Sequence, residues 1–200
     1  MADICISHLY KAYHGKPVLT DFSAVIPTGK TTCLMGPSGK GKTTLLRILM
    51  GLELPDKGEI TGLTTKGSAS EGRLRMSAVF QEDRLCGSLN PVSNIRLANP
   101  ALTPDQTRSA MESIGLTDCF CQPVRELSGG MRRRVAILRA LLAEYDLLFL
   151  DEPFRGLDAD TRLLVINYTR RQCSGRTVLM VTHDPSEAEQ MKAEQLLFLS

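Results

Sequence analysis

Two hundred residues make one domain, or one domain with a small insertion, and their 42% apolar and 23% charged side chains are an ordinary globular balance. A net charge of only +2 excludes the strongly basic character of a general nucleic-acid binder. The cysteines Cys5, Cys33, Cys86, Cys119, Cys121 and Cys173 form no CxxC pair and have no His cluster beside them, so free thiols are expected rather than disulfides or zinc.

The opening MADICISHLYKAYHG lacks an apolar h-region and does not read as a signal peptide. Residues 4–9 (ICISHL) and 18–26 (VLTDFSAVI) read as strands joined by the turn HGKP. TTCLM (31–35) is a short strand running into GPSGKGK, and KTTLLRILMG from Lys42 reads as a helix closed by Gly51. A glycine-punctuated stretch from Gly58 to Gly72 leads to the strand 77–80. Residues 84–127 are poorer in strands and carry Pro91, Pro100, Pro104 and Pro123, with a helical pattern over 104–115. A helix from about Gly130 to Tyr145 follows, then the strand LLFLD (147–151), a helix over 158–172, the strand 177–183, a short helix and a last strand QLLFLS.

Near-continuous apolar strands alternating with helices predict an α/β fold whose mainly parallel sheet is covered on both faces. The expected organisation is a single domain, with 1–83 and 131–200 as the α/β core, an antiparallel β portion at the N-terminus, and 84–130 as an inserted helical subdomain. The most apolar stretch, AILRALLAEYDLLFL, is broken by Arg139, Glu144 and Asp146, so no segment spans a bilayer. Service to a membrane would be as a docked subunit.

Two motifs carry chemistry. GPSGKGKT (36–43) fits G-x-x-x-x-G-K-[ST] between a buried strand and a helix, the position of a phosphate-binding P-loop. Glycines let backbone N–H groups curl around a phosphate chain, and the helix adds its positive end. Expected nucleotide contacts are Gly36, Pro37, Ser38, Gly39, Lys40, Gly41, Lys42, Thr43 and Thr44, with Lys42 on the β/γ-phosphates and Thr43 on Mg²⁺. In LLFLDEP (147–153), Asp151 ends a buried strand where it could hold the magnesium, and Glu152 is poised to take a proton from an attacking water.

LSGGMRRRVAI (127–137) sets two glycines against three consecutive arginines at the start of a helix. Cations are badly placed at that positive end unless an anion sits nearby, so either the arginines reach into solvent or a phosphate belongs here.

Together these segments resemble the nucleotide-binding subunits of ABC transporters over essentially the whole chain. GPSGKGKT looks like the family's Walker A, LLFLDE its Walker B, and LSGG (127–130) its signature. Gln81 in VFQEDRL resembles the Q-loop, which implies a place beside the metal and the reacting centre. Asp158 in GLD is similar to the D-loop, His183 to the switch histidine, and Tyr13 to the aromatic that stacks on adenine, with Tyr10 as its competitor. The resemblance implies that Ser128, Gly129 and Gly130 face the γ-phosphate bound by a second subunit. Arg134 falls where the family carries an arginine, and Arg132 and Arg133 read as a solvated face.

Two departures stand out: Met131 replaces the usual Gln, and Lys40 occupies a position more often small or apolar. The chain also stops soon after His183, where relatives often continue, which reads as the lack of a regulatory tail.

The resemblance therefore implies an ATPase using ATP and Mg²⁺, peripheral on the cytoplasmic side of the membrane. It would dimerise head to tail around two ATPs and drive permease subunits, powering import with a substrate-binding protein and without nucleic acid. FQEDRL and DEPFRGLDADTR look most like the nitrate/sulfonate/taurine importer class. The alternative is a non-transport ABC ATPase of DNA repair or translation. Against it, Thr43 and Ser128 are only 85 positions apart, too few for a coiled-coil insertion, and the chain has room for one cassette. A P-loop kinase would have no reason to carry LSGG.

Overall fold

The computed structural model describes residues 1–37, 39–63, 72 and 74–199. Ser38 of the P-loop, the 64–71 part of the Gly58–Gly72 stretch, Arg73 and Ser200 lie outside the described residues. The N-terminal strands Ile4–Tyr13 (β1) and Lys16–Ile26 (β2) form a hairpin longer than the sequence predicts. The reason is its two-residue turn: His14 and Gly15 both adopt positive φ (49° and 77°), the geometry of a tight hairpin, so Lys16 and Pro17 already belong to the strand. Thr31–Met35 (β3) is buried at every residue and leads to the helix Lys42–Leu49 (α1). Lys57–Thr61 (β4), a strand the sequence reading missed, pairs antiparallel with β1 at the sheet edge. Its polar KGEIT sequence carries little of the apolar alternation that marks a strand.

After Met76–Val79 (β5) come two capped helices, Pro91–Arg96 (α2) and Pro104–Glu112 (α3). Asn90 accepts from the Ser93 N–H to start α2, and Thr103 and Gln106 form a capping box that starts α3. Gly129–Leu141 (α4) stops four residues before the expected Tyr145, which is instead a buried ring ahead of Leu147–Asp151 (β6). Ala159–Cys173 (α5), Thr177–Val181 (β7), Pro185–Gln190 (α6) and Gln195–Phe198 (β8) complete the chain.

Three strands form an antiparallel sheet in the order β2-β1-β4, and five form a sheet β5-β6-β7-β3-β8 in which every pairing is parallel. Alternate residues of the parallel strands feed opposite cores, as period-2 geometry requires. Leu147, Phe149, Leu179 and Val181 pack toward α1 and the antiparallel sheet. Leu148, Leu150, Val178 and Met180 pack toward α2, α3, α4 and α5. Each such leucine contributes about 1.5–3 kcal/mol on full burial. Among the described residues, no helix is long and apolar enough to cross a membrane.

Because β3, β5, β6 and β7 run parallel, the segments that leave them emerge along one edge: Gly36 after β3, Gln81 after β5, Glu152 after β6 and His183 after β7. In open α/β sheets, ligands bind at that carboxyl edge.

Candidate nucleotide site

Two glycines of the P-loop are demanded by space. At Gly36 (φ 151°) a β-carbon would lie 2.3 Å from the Leu199 carbonyl oxygen, and at Gly41 (φ 87°) 2.7 Å from Val18 Cγ1. Gly41 is also the left-handed residue that opens α1 without a side-chain cap, leaving first-turn N–H groups free for an anion. Lys42 is buried and donates to the carbonyls of Gly36 (2.7 Å) and Pro37 (2.8 Å), which draws the loop around its ammonium. Over this loop lies a cleft of about 300 Å³, lined by Tyr13, Val18, Gly39, Gly41, Lys42, Thr43, Thr44, Gln81, Asp151 and Glu152. Tyr13 is therefore at the cleft, whereas Tyr10 is not among its lining residues; the Tyr10 phenol is raised by burial and by the nearby Asp21 carboxylate.

At the floor, Thr43 donates its hydroxyl to Asp151 Oδ2 at 3.0 Å. Asp151 Oδ1 is buried and has no hydrogen-bond partner. Burial pushes this carboxyl up; the Thr43 bond opposes the shift and the Glu152 charge reinforces it. A hydroxyl beside an unsatisfied buried carboxylate oxygen is a hard-oxygen donor set, and it fits a divalent cation such as Mg²⁺.

Glu152 follows with φ 46°, a left-handed backbone that a β-carbon disfavours. Its N–H donates to the Val181 carbonyl at 2.9 Å, which ties it to β7. Its carboxylate is 11% exposed, with Oε1 3.6 Å from His183 Nδ1 and Oε2 3.6 Å from Arg155 Nη1. The His183 side chain is exposed, so Glu152 stands at the mouth of the cleft between a shielded floor and an imidazole in solvent.

Ser128, Gly129, Gly130 and Asp158 do not line this cleft. Ser128 caps α4 by accepting from the Met131 N–H at 3.2 Å, and Asp158 caps α5 by accepting from the Thr161 N–H at 3.0 Å. That N–H bond holds the Asp158 carboxyl below its usual range. Caps of this kind contribute about 1 kcal/mol each. Ser128 and Gly129 are exposed, so the head of α4 is presented outward. Met131 packs partly buried against the main core, an apolar contact where the family's Gln is polar.

The arginine run corrects the sequence reading. Arg133 is not part of a solvated face: its side chain is buried, and its guanidinium donates to carbonyls of Phe80, Gln81, Asp151, Glu152 and Pro153. Arg132 donates to the Leu127 carbonyl at 2.6 Å, and Arg134 to the carbonyls of Ile114 and Gly115 at the end of α3. Carbonyl oxygens supply the negative partners that the helix start requires, so the arginines need no phosphate. Spacing does not single it out, because Arg132 stands three residues from buried Val135 and Arg134 three and four from buried Ile137 and Leu138.

A glycine loop closing on a buried lysine, with a metal-competent Thr–Asp pair and an acid at its mouth, defines a P-loop nucleotide hydrolase. Comparison with known proteins narrows the class. Residues 19–155 match the family model described as ABC transporter. The chain is 44% identical over 183 residues to an aliphatic sulfonates import ATP-binding protein, SsuB 1, of Rhodococcus jostii, covering 88% of this chain and 71% of that protein. It is 38% identical to SsuB 2 of Pseudomonas fluorescens (92% and 69% covered) and 37% identical to the taurine import ATP-binding protein TauB of Yersinia pestis (96% and 78% covered). The chain belongs to the ABC transporter family, and its activity is the family's ATP hydrolysis.

Proposed function

We propose that this chain powers the import of a small anion of the nitrate/sulfonate/taurine type, as the ATP-hydrolysing subunit of a membrane transporter. Relatives named for aliphatic sulfonate and taurine import support that substrate class. Its partners are then permease subunits and a substrate-binding protein, and its location is the cytoplasmic face of the membrane, held there by the permease. Residues 1–83 and 131–200 act as the catalytic core and 84–130 as the helical subdomain that carries the signature.

The observation that carries the mechanism is the division of the site. One chain brings residues of Walker A and Walker B together with Gln81 to one cleft, with His183 outside its lining but 3.6 Å from Glu152, and leaves Ser128 and Gly129 exposed away from it. Two copies related head to tail would complete each cleft with the partner's signature, closing two ATPs between them. Within the cleft, Tyr13 stacks on adenine, the P-loop N–H groups and Lys42 hold the phosphates, and Thr43, Asp151 and Gln81 hold Mg²⁺. When bound, Mg²⁺ neutralises charge that develops on the phosphates. Glu152 takes the proton of a water as its oxygen bonds the γ-phosphorus and the bond to the β–γ bridging oxygen breaks, releasing ADP and phosphate. His183, close to Glu152, steadies the γ-phosphate side of the cleft, and Asp158 lies toward the partner.

Glu152→Gln tests this reading. Glutamine keeps the shape but cannot accept the proton, so hydrolysis should fall about 10²–10⁴-fold while ATP binding persists. Each uncleaved ATP bridges two copies, so the variant should double its molar mass by light scattering when ATP is added. A variant that stays monomeric at saturating ATP, or that turns over at the wild-type rate, sinks the assignment.

A further inference from the structure

The Arg133 guanidinium touches both segments that carry reacting side chains. Nη2 donates to the carbonyls of Asp151 (3.0 Å) and Glu152 (2.6 Å), and Nε to that of Pro153 (2.8 Å). Nη1 donates to the carbonyls of Phe80 and Gln81, with the Asp83 carboxylate 3.3 Å away. The first three carbonyls belong to the end of β6 and the turn after it that presents Glu152; the next two belong to the turn after β5 that presents Gln81. Arg133 itself stands in the opening turns of α4, the helix headed by Ser128. Every guanidinium nitrogen is engaged, and the group is 6% exposed. A buried cation persists on such terms only when its donors are satisfied.

Glu152 needs holding. Its left-handed backbone (φ 46°) survives only where its surroundings over-determine it. The Val181 carbonyl secures its N–H, and Arg133 secures its carbonyl. A second arginine of the same helix fastens the rest of the Gln81 segment, because Arg139 donates to the carbonyls of Asp83 (3.1 Å) and Arg84 (2.9 Å). Residues 80–84 are thus tied to α4 at both ends.

We propose that Arg133 is a positioning residue for hydrolysis. It sets the backbone, and so the carboxylate direction, of Glu152, and it ties that setting to the Gln81 segment and to the head of α4. A displacement of Ser128 by the partner copy would then reach Glu152 through one rigid group. Only arginine's planar fork can address two loops at once; a lysine ammonium is a single point with three donors. The proposal rests on the reading of Glu152 as the proton acceptor.

Its test compares Arg133→Met and Arg133→Lys in the full chain, with nucleotide affinity measured by titration and kcat and KM by steady-state hydrolysis at saturating Mg²⁺. Arg133 is not among the residues lining the cleft, so the Met variant should keep ATP affinity and KM within about threefold while kcat falls about 10²-fold, as small misplacements of a reacting group do. The Lys variant, which keeps the charge and part of the bonding, should fall between. In a Glu152→Gln background the Met change should add less than about threefold, because the base it positions is already gone. Loss of the same size in that background would overturn the proposal and leave Arg133 a general structural residue. A kcat for Arg133→Met within about threefold of wild type would overturn it too. Should the Met variant fail to fold by circular dichroism, the Lys variant carries both comparisons. Wild-type turnover by Glu152→Gln alone would instead sink the Glu152 reading, a separate result.

Discussion

Thr43 and Asp151 meet through a 3.0 Å hydroxyl–carboxylate hydrogen bond although 108 residues separate them. One opens α1 behind the P-loop and the other closes β6, so the bond joins the phosphate-binding half of the cleft to its acidic half. Asp151→Asn keeps an oxygen for Thr43 but removes the charge a divalent cation needs. It should lower ATP affinity at least about tenfold in the presence of Mg²⁺ and leave Mg²⁺-free affinity within about twofold. Titration calorimetry with and without the metal measures the difference; an equal loss in both conditions would refute the metal role.

Tyr13 offers a second handle on nucleotide binding. Stacking needs the ring and not the hydroxyl, so Tyr13→Phe should bind ATP within about twofold of wild type, while Tyr13→Ala should lose about 1–2 kcal/mol. Tyr10→Ala, outside the cleft, should bind normally. A larger effect at Tyr10 would mean the adenine lies elsewhere.

Ser128→Arg separates the two halves of the proposed composite site. Ser128 is exposed and does not line its own chain's cleft. Binding of ATP to the isolated chain should therefore remain near normal, while turnover stops because the bulk blocks closure against a second copy. Loss of binding to the monomer would place the signature beside its own P-loop.

Glu187 gives a pH signature independent of ATP. It lies buried on α6 and accepts the Thr182 hydroxyl at 2.5 Å. Burial pushes its carboxyl up, with Asp184 adding to the shift and the Thr182 bond, Arg162 and His183 opposing it. A carboxyl raised in the folded state favours folding fully below its unfolded value and loses that contribution as pH rises through the folded one. Glu187→Gln, still able to accept from Thr182, should be at least as stable as wild type at neutral pH. Its urea midpoint should also decline less between acid and neutral pH; some decline remains, because the Asp151 carboxyl is raised in the same direction. A variant clearly less stable than wild type at neutral pH would mean the charged form is required.

Local chemistry was legible from residue order alone. A glycine loop between a buried strand and a helix has few other folds to adopt, and LLFLD, whose β6 bounds match the reading at both ends, is apolar on both faces because helices cover both sides of its sheet. The caps at Asn90, Thr103 and Asp158 also act over three residues, although the sequence reading did not name them as caps. Edges were harder: β4 is short and polar because only one flank is paired, so its strand character comes from β1 rather than from its own pattern.

The arginines mark where sequence stops. Three in a row at a helix start carry identical local signals, yet Arg132 turns to its own cap, Arg134 to the end of α3, and Arg133 inward to carbonyls 18 to 53 residues away. The chain by itself determined the phosphate loop, the acidic strand end and the order of the motifs, because those depend on neighbours within a few residues. Only the tertiary structure decided which cation is buried and which acid it steadies, because a guanidinium chooses among backbone carbonyls that become neighbours only after the sheet has formed.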